Sequence, residues 1–202
     1  MKIQGKVNAE HLDALIKAVD LFRHKKDDLA MLNSFSVEIE NNYLHLVATD
    51  RYKLAIGRIL VDEITGTLEH PILVDAQALL FVTSTKKAKN STLDIEIDEK
   101  GIVVKGAQTG AIVIPSQEYN FPKYKNLLPT QFEPTEEIDW NPQFLSDIGK
   151  AFHTIQKTLD PKNKTSYIKT KFVGKLKPAH FQTNLEKELS LEAMLMPVRV
   201  HN

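Results

Sequence analysis

The residue types that most often perform catalysis or hold metals are present, but their spacing matches no known catalytic or metal site. The seven histidines include no His-Glu-x-x-His sequence and no closely spaced pair, so they predict no zinc site. No cysteine occurs, which excludes disulfide bonds, thiolate metal ligands and a cysteine nucleophile. Asp50 is a candidate general base, but no partner residue accompanies it. We therefore predict no catalytic residue, no metal and no cofactor, and a protein that is not an enzyme.

Composition narrows the remaining functions. The 202 residues are 42% hydrophobic, enough for a buried core, and 26 basic residues balance 26 acidic residues. A protein held on nucleic acid by overall charge would be clearly basic, so any DNA contact must be local or topological. No apolar run approaches the roughly 20 residues that a membrane span requires. These features predict a globular, cytoplasmic protein.

Basic side chains cluster on or beside three predicted helices. Each cluster alone is typical of a solvated helix surface. If the helices lie side by side, however, the clusters form a strip suited to DNA phosphates. The candidate DNA-facing residues are Lys17, Arg23, Lys25, Lys86, Lys87, Lys150 and Lys157.

The three helices belong to an internal repeat. A short phrase with a leucine at its fifth position begins at Asn8, Asp75 and Asn141, at intervals of 67 and 66 residues. Asn and Asp are good helix N-caps, and Ala or Pro suits the first helical position. Each phrase follows a strand-like segment and precedes a helical one, and strand-like segments come next. The sequence thus predicts three units, each with a strand, a helix and three strands.

This pattern predicts an α+β fold in which antiparallel sheets carry helices on one face. Residues 1–128 form a complete domain of two repeats, which we call unit 1 and unit 2. Residues 129–136, rich in proline and glutamate, form a linker. Residues 137–202 form unit 3, in which strands are expected at 166–172, 178–183 and 189–200.

Three segments resemble the bacterial DNA polymerase III beta sliding clamp family. They are Val47 to Ala55, Phe121 to Pro129 and Met194 to Val200, and they occur in the family's order. Residues 1–128 resemble the middle domain of these clamps, and the remainder resembles the second half of the last domain. The resemblance implies a DNA-clamp fold, with sheets outside and helices lining a channel around duplex DNA. It also implies a processivity factor that binds a DNA polymerase and a clamp loader through their short linear motifs.

The family's partner-peptide groove lies between the middle and last domains. When the family's groove positions are mapped onto the matching motifs of this sequence, the walls of the groove combine apolar residues and adaptable methionines with a few hydrogen-bond donors. The residues are Leu32, Thr49, Arg51, Tyr52, Lys53, Leu54, Pro122, Asn126, Leu127, Met194, Met196, Pro197, Val198 and Arg199. The family usually has Gly, His and Arg where this chain has Arg51, Tyr52 and Lys53, and commonly Arg in place of Asn126. These differences bear on peptide specificity.

An odd number of units predicts self-association. In the family, units pair to form each domain, so a single third unit leaves an apolar edge exposed. Two copies of unit 3 can pair about a two-fold axis. A tetramer with units in the order 1-2-3, 3-2-1 around the circle would then close a ring on DNA. The alternative is a clamp mimic that keeps the groove, forms no ring and competes for polymerase or loader.

Overall fold

The computed structural model describes residues 2–84, 91–106, 110–131, 138–162 and 167–198. Unit 1 and unit 2 both have the predicted order of a strand, a helix and three strands, and unit 1 adds a short fourth strand. The elements of unit 1 are β1 (Ile3–Asn8), α1 (Ala9–Asp20), β2 (Ser34–Glu40), β3 (Tyr43–Thr49), β4 (Lys53–Leu60) and β5 (Asp62–Thr65). Those of unit 2 are β6 (Ile72–Asp75), α2 (Ala76–Ser84), β7 (Thr92–Asp98), β8 (Gly101–Gly106) and β9 (Gly110–Pro115).

Unit 3 has a helix and three strands. They are α3 (Pro142–Leu159), β10 (Lys169–Lys171), β11 (Ala179–Gln182) and β12 (Leu189–Leu195). The last strand ends at Leu195 and does not continue to Val200 as predicted. The segment from Ile138 to Trp140, directly before α3, forms no strand among the described residues.

All three helices begin at the predicted caps. Asn8 Oδ1 accepts hydrogen bonds from the backbone N–H groups of residues 10 and 11 at 2.9 and 3.0 Å. Asp75 Oδ1 accepts one from Ala78 at 2.8 Å, and Asn141 Oδ1 accepts one from Gln143 at 2.9 Å. Each cap satisfies backbone donors that the first helical turn leaves without a partner.

The strands form two antiparallel sheets. The order in the larger sheet is β10-β11-β12-β4-β3-β2-β6, and the order in the smaller sheet is β5-β1-β7-β8-β9. Within the complete domain, each unit contributes its leading strand to the other unit's sheet. Strand β1 of unit 1 pairs with β7 of unit 2, and β6 of unit 2 pairs with β2 of unit 1. This reciprocal exchange fastens unit 1 to unit 2.

The predicted order of the units was wrong. Strand β12 of unit 3 pairs with β4 of unit 1 along its whole length, from Leu189 opposite Ile59 to Leu195 opposite Lys53. Helix α1 correspondingly contacts both α2 and α3. Unit 1 therefore lies in the middle, and the order across the molecule is 3-1-2. A ring in which unit 2 separates unit 1 from unit 3 is incompatible with these pairings.

The helices pack on one side of the sheets over a common apolar core. Its largest fully buried side chains include Phe22, Phe35 and Phe152, which come from unit 1 and unit 3. Burial of such side chains stabilises the fold by about 1.5–3 kcal/mol each. None of the helices in the described part of the chain combines the length and hydrophobicity that a transmembrane segment needs.

Candidate partner-binding groove and helix face

A tight turn between β3 and β4 begins the candidate groove. Asp50 Oδ1 accepts hydrogen bonds from the backbone N–H groups of Tyr52 and Lys53 at 3.0 and 2.9 Å. Thr49 Oγ1 donates to the Lys53 carbonyl oxygen at 2.8 Å. Asp50 therefore acts as a turn-forming residue. Arg51 lies at the apex with a φ of 80°, a left-handed conformation that favours glycine.

Lys53 faces inward and does not line the groove as predicted. Its side chain is 5% exposed and forms an ion pair with Asp147 of α3. Its Nζ also donates to the Leu21 carbonyl oxygen at 2.5 Å and lies 5.2 Å from the centre of the Phe144 ring. Lys53 thus joins β4 and α1 of unit 1 to α3 of unit 3, beneath the turn.

The floor of the groove is an apolar cluster separate from the main core. Its buried members come from β3, β4, β12 and the segment after β9, and Phe121 and Leu128 pack against them. The buried members are Val47, Leu54, Ile56, Tyr124 and Met194. Leu54 and Met194, both predicted, are directly opposite each other in the β4–β12 pair. The floor therefore spans the junction between unit 1 and unit 3.

Three floor residues were missed by the sequence analysis. Ile56 follows Leu54 by two positions in one strand, so the two side chains share a face. Val47 and Tyr124 lie inside the segments that carry the family resemblance. Strand periodicity and the tyrosine in the second segment were the available signals. Leu32 is buried at 3% exposure but is not part of this cluster.

The rim of the groove exposes apolar side chains. Leu127 is 60% exposed, Val198 42% and Met196 36%. The Met196 backbone N–H donates to the Tyr52 carbonyl oxygen at 2.9 Å, which holds the segment after β12 beside the turn. Arg51, Tyr52, Pro122 and Asn126 are also exposed, Pro197 is half-buried and Thr49 is buried. Arg199 lies outside the described residues.

Next to this floor lies an open cavity of about 580 Å³, whose walls include Pro122 and Asn126. Its polar wall is organised around Glu38, which accepts from the Tyr124 hydroxyl at 3.0 Å and pairs with Lys125 Nζ at 2.8 Å. Burial, and then the neighbouring Glu38 carboxylate, raise the pKa of Tyr124, so its hydroxyl stays protonated. The cavity adds a polar flank to an apolar groove.

A buried polar network also crosses the junction between unit 1 and unit 3. Glu192 of β12 forms an ion pair with Arg58 of β4 and a hydrogen bond with His180 of β11 at 2.6 Å. Burial acts to raise the pKa of Glu192, but the hydrogen bonds from His180 and Arg58 lower it to about 2. His45 on β3 is buried nearby, and burial followed by the charge of Arg58 lowers its pKa to about 4.

The helix side of the molecule holds some of the predicted DNA-facing residues. Lys17, Lys150 and Lys157 are exposed on α1 and α3. Lys17 pairs with Asp13 at 2.7 Å. With Glu10, Asp13 and Asp20 also on α1, the charges here are mixed. Lys86 and Lys87 lie outside the described residues.

Arg23 and Lys25 are engaged with the protein itself. The Arg23 side chain is 4% exposed and forms an ion pair with Asp20 and a hydrogen bond with Asn33. Lys25 Nζ lies 2.5 Å from Asp20 Oδ2, and burial lowers its pKa. The prediction that Arg23 faces DNA is therefore wrong, because its guanidinium is buried. Lys25 is half-exposed but already paired.

Residues 6–117 match the sequence model of the DNA polymerase III beta subunit, central domain. The chain belongs to this family. It is 28% identical over 131 residues to the beta sliding clamp of Micrococcus luteus, covering 62% of this chain and 40% of the relative. For the beta sliding clamp of Streptomyces coelicolor the values are 28% over 147 residues, 68% and 38%. The chain thus spans about two fifths of the length of these relatives.

Solved clamp structures have the same fold. The Bacillus subtilis DNA polymerase sliding clamp superimposes with a TM-score of 0.74 at 13% identity, covering 98% of this chain and 64% of that one. The Thermotoga maritima DNA polymerase III beta subunit gives a TM-score of 0.74 at 17% identity, with coverage of 98% and 66%. The predicted family and DNA-clamp fold are confirmed.

Proposed function

We propose that this protein is a sliding clamp, a processivity factor that encircles duplex DNA and performs no chemistry. The observation that carries the proposal is that the three helices lie side by side, in the spatial order α2-α1-α3, on one side of two continuous sheets. Such a surface presents helices to a cylindrical ligand while the sheets form a wall behind them. The beta sliding clamps that this chain resembles are named for this activity. We place the protein in the cytoplasm, where the DNA that it encircles lies.

The ring is made of several copies of the chain. With the order 3-1-2, every copy ends in unit 3 on one side and unit 2 on the other. Exposed apolar residues mark both ends, with Leu145 on α3 and with Val113 on β9. Contacts of unit 3 with unit 3 and of unit 2 with unit 2 alternate around a closed tetramer.

DNA is held by topology more than by charge. The lysines proposed to meet phosphates are Lys17, Lys150 and Lys157, together with Lys86 and Lys87. Acidic residues on α1 offset the lysines, so the affinity for linear DNA is low and depends weakly on salt. Weak phosphate contacts do not reduce the retention of a closed ring on circular DNA, because release requires the ring to open.

The groove between unit 1 and unit 3 binds short linear motifs of a DNA polymerase and a clamp loader. An apolar floor that contains Met194 adapts to different side chains, while the rim fixes an extended peptide. The probe is a phage-displayed library of random heptapeptides selected on the wild-type protein. Leu127→Asp and Met196→Asp, both at exposed positions, should abolish capture of the selected peptides without loss of folding. Capture that survives both substitutions places peptide binding elsewhere.

The decisive experiment for the clamp activity compares DNA topologies. The protein is equilibrated with nicked circular plasmid and passed over a sizing column, before and after the plasmid is cut once. A clamp co-elutes with the circle and is lost after cutting. Equal retention on both forms would indicate ordinary surface binding.

The alternative, a mimic that binds polymerase or loader without encircling DNA, is favoured by one observation. The α1 surface carries Glu10 and Asp13 against Lys17, and Asp20 is already paired with Arg23 and Lys25, so α1 offers no excess of positive charge to phosphates. A mimic captures the selected peptides but is never retained on circular plasmid. The same two measurements therefore separate the two functions.

A further inference from the structure

The complete domain shows how two units join. In units 1 and 2 the segment before each helix crosses to the other unit and pairs with the strand that follows that unit's helix. Strand β1 has β7 on one side and β5 on the other, so its hydrogen-bonding groups are used on both edges. Both crossing strands carry a fully buried valine directly before the helix cap, Val7 and Val74.

Unit 3 contains a corresponding leading segment, helix and strands, but its leading segment and its outer strand lack a partner strand on one edge among the described residues. The segment from Ile138 to Trp140 precedes the Asn141 cap, as β1 and β6 precede theirs. Its Asp139 carbonyl oxygen accepts a hydrogen bond from the Val198 backbone N–H at 2.8 Å. The segment after β12 thus occupies the edge that corresponds to the β1 edge paired with β5. Strand β10 is an edge strand of the larger sheet in the part of the chain that the structure describes. Trp140 is half-buried where Val7 and Val74 are fully buried.

The helix of unit 3 has an exposed apolar flank at the matching position. Leu12, Leu79 and Leu145 each follow their cap by four residues. Leu12 and Leu79 are 2% and 1% exposed within the complete domain, whereas Leu145 is 38% exposed. Leu12 and Leu79 belong to the main apolar core, where α1 and α2 pack against each other, whereas Leu145 lies outside that core.

The charges on unit 3 indicate which partner would pair with its leading segment and its edge strand. Two residues before the Asn8 cap, Lys6 of β1 is directly opposite Asp94 of β7. Two residues before the Asn141 cap, unit 3 has Asp139, and its edge strand β10 carries Lys169. The leading segment and the edge strand of unit 3 thus have opposite charges, with the signs reversed relative to the β1–β7 pair. In the β6–β2 pair this position holds the uncharged residues Leu73 and Ser36. A partner that supplies both is a second copy of unit 3.

We propose that two copies of the chain join through unit 3 about a two-fold axis. Residues Ile138 to Trp140 of each copy pair with β10 of the other, and the two Leu145 side chains are buried between the α3 helices. This inference rests on the ring proposed above and specifies one of its two interfaces.

The single tryptophan of the chain, Trp140, reports this contact directly. Its fluorescence should shift to shorter wavelength, and its quenching by acrylamide should fall, as protein concentration rises. Sedimentation equilibrium gives the dissociation constant over the same range. Leu145→Asp should raise that constant by about 100-fold or more, since the altered leucine occurs twice in each interface. An aspartate in the first turn of α3 suits the helix dipole, so the monomer should remain folded.

Paired substitutions test the register. Asp139→Lys and Lys169→Asp should each weaken association, and the double variant should restore it. Leu127→Asp, an equally polar change at an exposed leucine outside unit 3, should have no effect on association. A wild-type chain that stays monomeric at 100 µM, or one whose association responds to Val113→Asp and not to Leu145→Asp, would overturn the proposal.

Failure of this interface and failure of the clamp activity give different experimental results. Association through Leu145 without retention on circular plasmid upholds the interface and refutes the clamp. Retention that is unaffected by Leu145→Asp upholds the clamp and refutes the interface.

Discussion

Replacing Asp147 with asparagine tests the ion pair that joins unit 3 to unit 1. The side chain of Lys53 is 5% exposed and that of Asp147 is 14% exposed. After the substitution, the ammonium group retains the Leu21 carbonyl oxygen at 2.5 Å and a distant carboxylate, Asp50, at 3.9 Å. A buried cation is then left with partial compensation only.

The magnitude follows from burial. Removing one member of a buried ion pair costs about 3–5 kcal/mol, because the remaining charge is desolvated without a partner. The partial exposure of Asp147 and the nearby Asp50 reduce this, so we expect about 2–3 kcal/mol. With a urea dependence of about 2–3 kcal/mol per molar, the unfolding midpoint should fall by about 1 M.

The assay is urea unfolding followed by circular dichroism, with two controls. Asp13→Asn removes the acid of the exposed pair with Lys17 and should cost less than about 0.5 kcal/mol. Lys53→Met combined with Asp147→Leu replaces both charges with apolar groups and should recover most of the loss. If Asp147→Asn costs no more than Asp13→Asn, the pair does not secure unit 3 and the reasoning is refuted.

Three further predictions use the same unfolding assay. Arg51→Gly should stabilise the fold by about 0.5–1 kcal/mol, because glycine tolerates the φ of 80°, and Arg51→Ala should bring no such gain. Because the pKa of His45 is lowered to about 4, the unfolded chain binds a proton between pH 6.5 and 4 that the native state does not bind. Stability should therefore fall as pH drops from 6.5 towards 4, and His45→Gln should remove this slope. The lowered pKa of Glu192, about 2, contributes stability above pH 4.5 that is lost as pH falls towards 2, and Glu192→Gln should flatten that range.

Local features of the fold were predictable from sequence. The caps at Asn8, Asp75 and Asn141 depend on a side chain and the backbone two or three residues away, so the repeat and its helices follow from the residues themselves. The turn at Asn41 and Asn42, both with positive φ, likewise follows from local preference.

The order of the units was not predictable, because it depends on pairing between distant strands. The exchange of β1 and β6 and the β4–β12 pair join segments far apart in sequence. Short connections favour neighbours in sequence, and that expectation placed unit 2 in the middle.

Two site residues were misplaced for different reasons. Motif resemblance assigned Lys53 to the groove, but a motif gives a position in the chain and not the direction of its side chain. For Arg23 a readable signal existed, since Asp20, the last residue of α1, precedes it by only three residues and pairs with it.

The central claim, that the helices face DNA, can be measured by site-directed cross-linking. The chain has no cysteine, so Lys150→Cys on α3 and Lys105→Cys on β8 each give one site for a benzophenone label. Illumination with nicked circular plasmid should cross-link DNA to residue 150 and not to residue 105, and cutting the plasmid beforehand should remove the product. Cross-linking from residue 105 alone, or from residue 150 regardless of cutting, would contradict the account.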